Sequence, residues 1–454
     1  MPPVAPETTA ARQLAAYAVA LRFEDIPADI VERARDCLID TIGVSLVGSR
    51  MPWGKMIAGY ARRYGGTGTS RLIGMPGPVA TPMAALANGV FAHGMEQDSL
   101  RKPGAGVHPG AALVPCALAM AEEQGAGGAA LLTAIVAGCE VMFRIGAASR
   151  HTSEHLGFHA PGLTGPFGAA IATGHLLGLD ADRMCNALGI AGSLCGGVLA
   201  FAKAGNGAMV KRLHLGRAAE AGILAARLAQ DGFEGPDTIL DGAFGFLDTY
   251  CEEGDATLLT RGLGTVFETR NLCFKRYPCH VTAHTPVQTI LALRAAHGFA
   301  ARDVAQVTIR AGAKVLSHHA EREPADTMAA QYSVPFCAAL AVCGDPADPA
   351  AYLDAGRADA AVRALCRSIA LAPLDAERAR RSTWASEVTV RLADGREWVQ
   401  FSDDFKGTPS MPLTLGDVRA KYLACAGDFA PAARLFDQLA EIAALRDVRS
   451  LALA

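Results

Sequence analysis

Short motifs that mark cofactor sites and activated nucleophiles are absent from these 454 residues. The twelve cysteines are scattered and form no C-x-x-C pair, which argues against a zinc ribbon or an iron–sulfur cluster. No G-x-G-x-x-G opens a strand–helix unit, and neither a P-loop nor a G-x-S-x-G elbow occurs. The sequence therefore gives little support to a nucleotide cofactor or to an esterase triad.

Charge is also scarce. Charged residues make up 19% of the chain, its net charge is -3, and no run of like charges occurs, so we expect no general affinity for nucleic acid or membrane surfaces. Hydrophobic residues reach 51%, which together with the length predicts a compact protein of two domains. The N-terminus lacks the basic start and apolar run of a signal peptide, and cysteines such as Cys195 and Cys337 stand in apolar settings. We therefore expect buried free thiols and a cytoplasmic protein.

One long stretch, residues 155–179, contains no acidic or basic residue apart from histidine and is long enough to span a bilayer. It also holds three histidines, two prolines and several glycines, which a lipid-exposed helix would tolerate poorly. We expect a loop followed by a helix buried in the protein core.

Helical periodicity dominates from about residue 10 to residue 265. The predicted helices are rich in glycine and alanine, which lets helix axes approach closely, as in the centre of a multi-helix bundle. They cover residues 80–93, 110–123, 129–149, 167–178, 183–201 and 215–230.

The pattern changes near residue 300. Residues 304–310 read as a strand, and residues 386–399 alternate as a hairpin around Asp394-Gly395. Helices are predicted at 285–297, 325–342 and 356–369. The fold class is therefore mainly α: a large all-helical domain, residues 1–268 completed by 403–454, plus a smaller α+β lid domain, residues 269–402.

Several histidines stand in loops rich in glycine and proline, next to predicted helices. A histidine in such a loop is a better candidate for function than one on a helix face, although each taken singly is more often structural. These are His93, His108, His159 and His280, with His284 following. Three cations are further candidates: Lys211, Lys275 and Arg276. They are either ordinary surface charges or cations at helix entrances, where they would bind carboxylates.

A metal site is the alternative from a different class. His151-Thr-Ser-Glu154-His155 matches the H-x-x-E-H pattern of some metalloproteases. That chemistry needs a firm helix, whereas Gly157 and Pro161 follow almost at once. We expect a solvated helix end or loop here, and keep a metal-dependent hydrolase as the alternative.

Seven segments, in order along nearly the whole chain, resemble the MmgE/PrpD family. That family contains 2-methylcitrate dehydratases, cis-aconitate decarboxylases and iminodisuccinate epimerases. The segments are Asp40–Gly48; Asn88–His93 with the acidic run and His108-Pro109; Gly157–His159 with Gly165–Ala170; Lys211–Ala219; Lys275–His280; Gln331–Pro335; and Lys406-Gly407 with Pro412.

The resemblance implies a large helical domain with an α+β lid, a homodimer, no metal or organic cofactor, and a site between the domains where distant histidines and lysines meet. It places the catalytic residues at His108, His159, Lys211, His280 and Glu96. It places substrate-binding residues at Lys275, Asp98 and Arg276. The leading interpretation is a lyase of the 2-methylcitrate dehydratase type; an epimerase of a dicarboxylate and a cis-aconitate-type decarboxylase are the alternatives.

The shared chemistry is cleavage of a bond at a carbon next to a carboxylate. The weak carbon acid needs fixed positive charge, which the resemblance assigns to Lys211 and Lys275. His159 is the first choice as base, and His108, Lys211 or a protonated Glu96 could protonate a leaving hydroxyl. An epimerase would need two bases, and a decarboxylase only an acid.

Three departures from the family pattern bear on the substrate. The acidic run reads Glu96-Gln-Asp98-Ser99 in place of an Asp-rich run, and Phe336 stands where decarboxylase members have a tyrosine. Extra sequence, residues 100–106, precedes His108 and contains Arg101 and Lys102. These two residues either contact an additional carboxylate of the substrate or are simply solvated, and we favour solvation. The substrate can therefore differ from methylcitrate and aconitate.

Overall fold

The structure is a computed structural model that describes residues 8–104, 106–202, 209–353 and 358–454. Ala105 of the extra segment and residues 356–357 of a predicted helix lie outside the described residues. The chain forms two compact units. Unit 1 is the described part of Met1–Gly94, Asp98–Leu272 and Ala426–Ala454, and unit 2 is that of Met95–Gln97 and Cys273–Cys425.

Unit 1 is built from helices, which confirms a mainly α fold. Its longer helices are α1 (Ala10–Ala20), α2 (Ala28–Arg50), α3 (Pro52–Tyr64), α4 (Thr81–Ala92), α5 (Pro109–Gln124), α6 (Gly128–Ala148), α7 (Ala160–Leu176), α8 (Ala181–Gly192) and α9 (Val210–Gln230). Two short helices follow, α10 (Phe246–Tyr250) and α11 (Thr257–Thr260). A short antiparallel ladder joins β1 (Ser70–Arg71) to β2 (Pro78–Val79). Two further short strands, β3 (Leu100–Arg101) and β4 (Leu272–Cys273), form a second two-stranded ladder.

Glycines set the close spacing of the central helices, as their frequency predicts. A Cβ placed on Gly222 of α9 would lie 2.3 Å from the Ala169 Cβ of α7. A Cβ on Gly89 of α4 would lie 2.8 Å from the Gly216 Cα of α9. Both separations are too short for real carbon contacts, so any larger residue would push these helices apart.

The predicted helices mostly form, with corrections at their ends. The segments 80–93, 110–123 and 129–149 correspond to α4, α5 and α6. The helices predicted at 167–178 and 215–230 begin several residues earlier, as α7 and α9. Pro161 fits the first turn of α7, since proline lacks only an N–H that has no partner there.

The helix predicted at 183–201 is wrong in its second half. The α8 helix ends at Gly192, and a separate short turn covers Leu199–Ala202. Gly197 between them has a φ of 126°, a backbone conformation that interrupts a helix and that glycine adopts without strain.

The apolar segments of unit 1 lie in its interior. The stretch 155–179 forms a loop and then α7, nearly all of whose residues are buried, as expected. Helix α6 is the described helix that is long and apolar enough to cross a membrane, but 89% of its most apolar window is buried inside the structure. Its burial is typical of the core helix of a folded domain.

Unit 2 contains a four-stranded sheet in the order β6-β5-β7-β8. The strands are β5 (Val304–Ala311), β6 (Ala370–Pro373), β7 (Ser386–Leu392) and β8 (Glu397–Ser402). Strand β5 pairs in parallel with β6 and antiparallel with β7, and the β7–β8 hairpin turns at Gly395, whose φ is 88°. The predicted strand and hairpin are confirmed, and β6 was not predicted.

Six helices accompany the sheet and one long helix follows it. They are α12 (His284–His297), α13 (Ala313–His318), α14 (Thr327–Tyr332), α15 (Val334–Cys343), α16 (Ala360–Ser368), α17 (Ala376–Ala379) and α18 (Leu415–Ala426). The helix predicted at 325–342 is interrupted at Ser333, whose hydroxyl accepts the N–H of Phe336 and caps α15. The apolar faces of α12, α15 and β7 share one core, to which Val287, Phe336 and Val388 contribute.

The C-terminal segment belongs to unit 1. Helix α19 (Ala432–Ala440) is followed by a tail that Arg71 holds by donating hydrogen bonds to the carbonyls of Leu451 and Val448. The Gly74 N–H donates to the Leu453 carbonyl over 2.8 Å. The last residues of the chain are therefore part of the helical fold.

Candidate active site

Three polar side chains of unit 1 lie at the N-terminal ends of helices. His108 and His159 are the residues that immediately precede α5 and α7, and Lys211 lies in the first turn of α9. The first N–H groups of a helix have no partner within it and carry partial positive charge. The prediction that these residues stand at helix entrances is confirmed, and such ends favour a bound anion.

Asp98 connects two histidines in the interior of unit 1. One of its carboxylate oxygens lies 2.8 Å from Nδ1 of His108, and both lie 3.1 Å from Nδ1 of His93. Asp98 is fully buried, and His93 and His108 are 1% and 6% exposed. The contact fixes the orientation of both rings and leaves Nε2 of His108 as the nitrogen that can exchange a proton.

Charge in this group is set by opposing effects. Burial by itself raises the pKa of Asp98, but His93 and His108 outweigh it and hold that pKa well below its ordinary value. Burial lowers the pKa of His93 to about 4. Nε2 of His93 is buried without a hydrogen-bond partner among the described residues. Asp98 is therefore an ionised carboxylate that accepts hydrogen bonds from imidazoles.

His159 belongs to a second pair of imidazoles. Its Nδ1 lies 2.9 Å from Nδ1 of His214, one turn after Lys211 on α9. His159 is 5% exposed, whereas His214 is half-buried. Because one nitrogen must donate and the other accept, the pair can pass a proton from a buried ring to a more accessible one.

Lys211 influences the protonation of these rings. Burial, reinforced by the positive charge of Lys211, lowers the pKa of His159 well below its ordinary value. The same two causes lower the pKa of His214. His159 is therefore neutral at pH 7, as a general base must be. The centroid of the His93 ring lies 6.1 Å from that of His159 and 5.1 Å from that of His108.

The same group also has the spacing of a metal site. Donor atoms of His93, Asp98 and His108 all lie within 4.8 Å of one another. Two imidazoles and a carboxylate are common ligands of zinc and iron. Nδ1 of His93 and Nδ1 of His108 each lie within hydrogen-bond distance of an Asp98 oxygen. Hydrogen bonds therefore account for the same contacts without a metal ion.

In unit 2, Lys275 holds Glu96 at two points. Its Nζ donates to the Glu96 carboxylate over 2.9 Å and to the Glu96 backbone carbonyl over 3.0 Å. The side chains are only 2% and 7% exposed. Glu96 has a φ of 55°, an unusual conformation for a residue with a side chain, which often occurs at functional sites.

The neighbours of Glu96 are fixed by amides. The Gln331 side chain donates to the carbonyl of Met95, and the Gln97 side chain donates to that of Arg276. The guanidinium of Arg276 lies 5.7 Å from the ring centre of Tyr277, and the residue is half-buried.

His280 precedes a short helical turn and is half-buried. Its Nδ1 accepts the backbone N–H of Thr282, which places the ring proton on Nε2. Burial, with His319 as the next cause, lowers the pKa of His280 well below its ordinary value. His280 is thus a neutral imidazole that presents an N–H donor. That the residues of the two units share one site stays a prediction.

Other sequence candidates have structural partners. Arg101 pairs with Glu268 over 3.0 Å and donates to the carbonyl of Pro103, so it is engaged within unit 1 rather than simply solvated as we favoured. Phe336 is 1% exposed and its ring meets that of Tyr352 edge-on in the core of unit 2.

The H-x-x-E-H segment does not assemble as in a metalloprotease. Residues Thr152–Glu154 form a short 3-10 turn, as the expected loop would, and His151 has a φ of 62°. His151 contacts Glu154, whereas the exposed His155 contacts Glu252. The two histidines therefore face different carboxylates.

Sequence reasoning missed three residues of these clusters. His93 was noticed but given no role, and His214 and His319 were not chosen. His214 lies inside a helix, and His319 directly follows one in a segment without glycine or proline signals. His93 and His214 could have been found, because they stand inside the family-like segments already quoted.

Comparison with known proteins identifies the family of the chain. Residues 12–259 match the MmgE/PrpD N-terminal domain, and residues 277–445 match the MmgE/PrpD C-terminal domain. The first match alone covers more than half of the chain, which confirms the predicted family.

Individual relatives are more distant. The chain is 32% identical to a cis-aconitate decarboxylase-like protein of Aspergillus oryzae over 301 residues, which cover 63% of this chain and 61% of that protein. It is 32% identical to a cis-aconitate decarboxylase of Aspergillus terreus over 288 residues, 60% of this chain and 58% of that protein. A cis-aconitate decarboxylase of Mus musculus is 26% identical over 417 residues, 89% of this chain and 84% of that protein. The alignment thus spans about three fifths of the length of the two fungal relatives.

Proposed function

The chain belongs to the MmgE/PrpD family, and from this premise we propose that it is a cofactor-independent lyase for a small di- or tricarboxylate. It removes a proton next to a carboxylate and expels water, as a 2-methylcitrate dehydratase does. The observation that carries the proposal is the pair of independently oriented imidazoles in unit 1, His108 on Asp98 and His159 on His214.

Elimination of water needs a base and an acid. His159 acts as the base, because its lowered pKa keeps it neutral and able to accept a proton at pH 7. His108 acts as the acid that protonates the leaving hydroxyl, since the Asp98 carboxylate holds its Nδ1 and orients its Nε2 for proton transfer. Asp98, which the family resemblance suggests as a substrate ligand, instead positions the His108 ring.

The carbanion formed next to a carboxylate needs positive charge close by. Lys211 supplies it, because it is only 5% exposed and acts electrostatically on His159 and His93. The N-termini of α5 and α7 add partial positive charge behind His108 and His159. A buried cation and helix ends stabilise an enediolate without any proton transfer.

Unit 2 supplies the proposed carboxylate ligands. Lys275 and the Nε2–H of His280 are donors, and Arg276 is a cation that is half-buried. Glu96 keeps the Lys275 ammonium in place by accepting its hydrogen bond. A catalytic role for Glu96 itself would require it to leave that contact.

Decarboxylation is the second candidate, because the relatives described above are cis-aconitate decarboxylases or a protein like them. That reaction needs only one acid to protonate the product carbon. Phe336 argues against it, because its buried ring has no hydroxyl to offer where decarboxylase members have tyrosine. An epimerase would use His108 and His159 as two bases on one carbon.

One experiment separates these reactions. The purified protein is incubated with a panel of citrate-like acids in D2O and followed by proton NMR. A dehydratase forms an alkene, an epimerase incorporates deuterium without an alkene, and a decarboxylase releases CO2. The proposal predicts alkene formation in wild type and its loss in His159→Gln.

His151→Gln is the matched control, because His151 lies in the turn outside both imidazole pairs. A chelator tests the metal alternatives: the proposed lyase keeps its activity after exhaustive treatment with EDTA. Loss of activity that returns with zinc or iron would instead favour a metal on His93, Asp98 and His108.

Two proposals concern the whole protein. We propose a homodimer, on the family resemblance, which sedimentation equilibrium would detect at twice the chain mass of 47.2 kDa.

We also propose a cytoplasmic location, supported by twelve cysteines that are all free. Cell fractionation would test it.

A further inference from the structure

His319 is a buried histidine of unit 2 whose ring nitrogens have no hydrogen-bond partner of good geometry among the described residues. Its backbone is fixed, because its N–H donates to the Val315 carbonyl and its carbonyl accepts the Val334 N–H, each over 3.0 Å. The residue is 3% exposed, and neither Nδ1 nor Nε2 makes a well-aligned hydrogen bond to a described residue. The backbone of Tyr332 lies close enough to the ring to oppose the lowering of the His319 pKa, but it does not complete a hydrogen bond of good geometry. Burying an imidazole in this way costs free energy unless a ligand or water completes its hydrogen bonds.

The His319 ring is held in place by two aromatic neighbours. It stacks on His280 with ring centroids 4.2 Å apart and planes inclined by 30°. The Tyr332 ring lies 5.5 Å from His319 and 5.0 Å from His280. Because Nδ1 of His280 is occupied by Thr282, the two stacked imidazoles present a fixed set of nitrogens.

Charge around the stacked pair favours an anion. Burial, with Lys314 as the next cause, lowers the pKa of His319 to about 4. Glu96 acts in the opposite direction on both rings, while Lys275 and Lys314 lower the pKa of His280 as well. A neutral imidazole in such a surrounding donates one N–H to an anionic acceptor, and the positive charge needed to hold that anion comes from the lysines.

We propose that His319 is a substrate-binding residue that donates a hydrogen bond to a carboxylate, beside His280. The inference rests on the proposed function, since it assumes that the substrate is a polycarboxylate. It adds a specificity determinant: the contact favours an acid with a carboxylate at this point over an otherwise similar acid without one.

The variant His319→Phe keeps an aromatic ring on His280 and removes both nitrogens. We expect its KM for the substrate to rise about 10- to 100-fold while kcat changes less than about threefold, because the lost hydrogen bond serves binding. The inhibition constant of tricarballylate, a tricarboxylate that cannot eliminate water, should rise by the same factor. That of glutarate, which lacks the third carboxylate, should change less.

Two variants serve as comparisons. His319→Gln restores an N–H donor without the ring, and should recover part of the affinity. His318→Gln alters the exposed neighbour, whose Nδ1 contacts the Ser317 hydroxyl, and should leave KM unchanged. The melting temperature of His319→Phe should equal or exceed that of wild type. A phenyl ring has no polar atom, so its burial without hydrogen bonds carries no free-energy cost.

NMR of protein labelled with 13C at the histidine Cε1 positions gives a readout that does not depend on turnover. The His319 signal is the one missing in His319→Phe, and it should move when tricarballylate is added. Normal turnover with an unmoved signal and an unchanged KM in His319→Phe would overturn this inference alone. A signal that moves in a protein that transforms no polycarboxylate would overturn the proposed function alone.

Discussion

At the scale of single residues, Asp98 is the strongest test of the proposed chemistry. Asp98→Asn keeps the shape of the side chain but removes the carboxylate charge that orients the His108 ring. We expect kcat to fall by about 10²- to 10⁴-fold with a smaller change in KM. Steady-state kinetics on the substrate identified by NMR would measure both.

The control for this variant is Asp180→Asn, since Asp180 is an exposed carboxylate that caps α8 by accepting the Arg183 N–H. Circular dichroism should show both variants folded. A folded Asp98→Asn enzyme with kcat within threefold of wild type would contradict the assignment of His108 as an oriented acid.

Lys275 allows a test of stability at the same scale. Lys275→Met removes the cation that faces the buried Glu96 carboxylate, and we expect the free energy of unfolding to fall by about 3–5 kcal/mol. Urea denaturation would measure it. Adding Glu96→Gln to Lys275→Met should recover part of the loss, because the Glu96 carboxylate would otherwise stay buried without its cation.

Arg270→Met breaks an exposed pair with Asp29, whose side chains are 53% and 56% exposed, and serves as the comparison. A surface pair of this kind contributes about 0–1 kcal/mol. Equal losses from Lys275→Met and Arg270→Met would mean that the Lys275–Glu96 contact is solvated rather than buried.

The sequence predicted residues of the site where the local signal was strong. His108 and His159 directly precede α5 and α7, each of which has a proline among its first two residues, and such loop histidines are recognisable without coordinates. His214 and His319 are not recognisable in this way. The partner ring of His214 comes from the residue that precedes α7, and that of His319 comes from the segment before α12. Contacts between residues distant in the chain leave no local trace in a single sequence.

At the scale of elements, the position of α9 depends on Gly216. A Cβ at this position would lie 2.4 Å from the Leu86 carbonyl of α4, so Gly216→Ala must push the two helices apart. We expect a loss of about 1–3 kcal/mol in the free energy of unfolding. Activity should fall as well, because Lys211 and His214 move with α9. Thermal unfolding and kinetics would report the two effects.

Gly59→Ala is the matched substitution in an open setting. Gly59 lies in α3, and a Cβ there meets nothing within 4 Å. Alanine should therefore stabilise the helix by about 0.5–1 kcal/mol and leave kcat unchanged. If Gly216→Ala behaved like Gly59→Ala, the close approach of α4 and α9 would not be needed for the site.

Elements were predicted best where one periodicity continued without interruption. Both ends of helices α4, α5 and α6 were predicted to within one residue, because their apolar pattern is long. The break at Ser333 was missed, since a serine cap inside an apolar run has little weight in a helical pattern. Strand β6 is four residues long, ends in proline and forms only by pairing with β5, so its own sequence does not predict it.

At the scale of the whole molecule, buried neutral histidines make stability depend on pH. His93, His159, His280 and His319 all have a pKa lowered by burial, to about 4 for His93 and His319. In the unfolded chain these rings titrate near 6.5, so between about pH 6.5 and pH 4 the unfolded state binds protons that the folded state does not. Their contribution is complete above pH 6.5 and is lost as the pH falls toward 4.

We therefore expect the free energy of unfolding to decrease from pH 7 to pH 5, by up to about 1.4 kcal/mol per pH unit for each of the four rings. Glu122 and Glu140 oppose this trend, because burial raises the pKa of each carboxyl, so the net slope is smaller than the sum. Urea midpoints at half-unit intervals of pH would measure the slope.

His319→Phe removes one titrating ring and should reduce that slope. A slope that is unchanged in this variant would mean that His319 is protonated to the same extent in the folded and unfolded chains, which its burial beside Lys314 and His280 argues against.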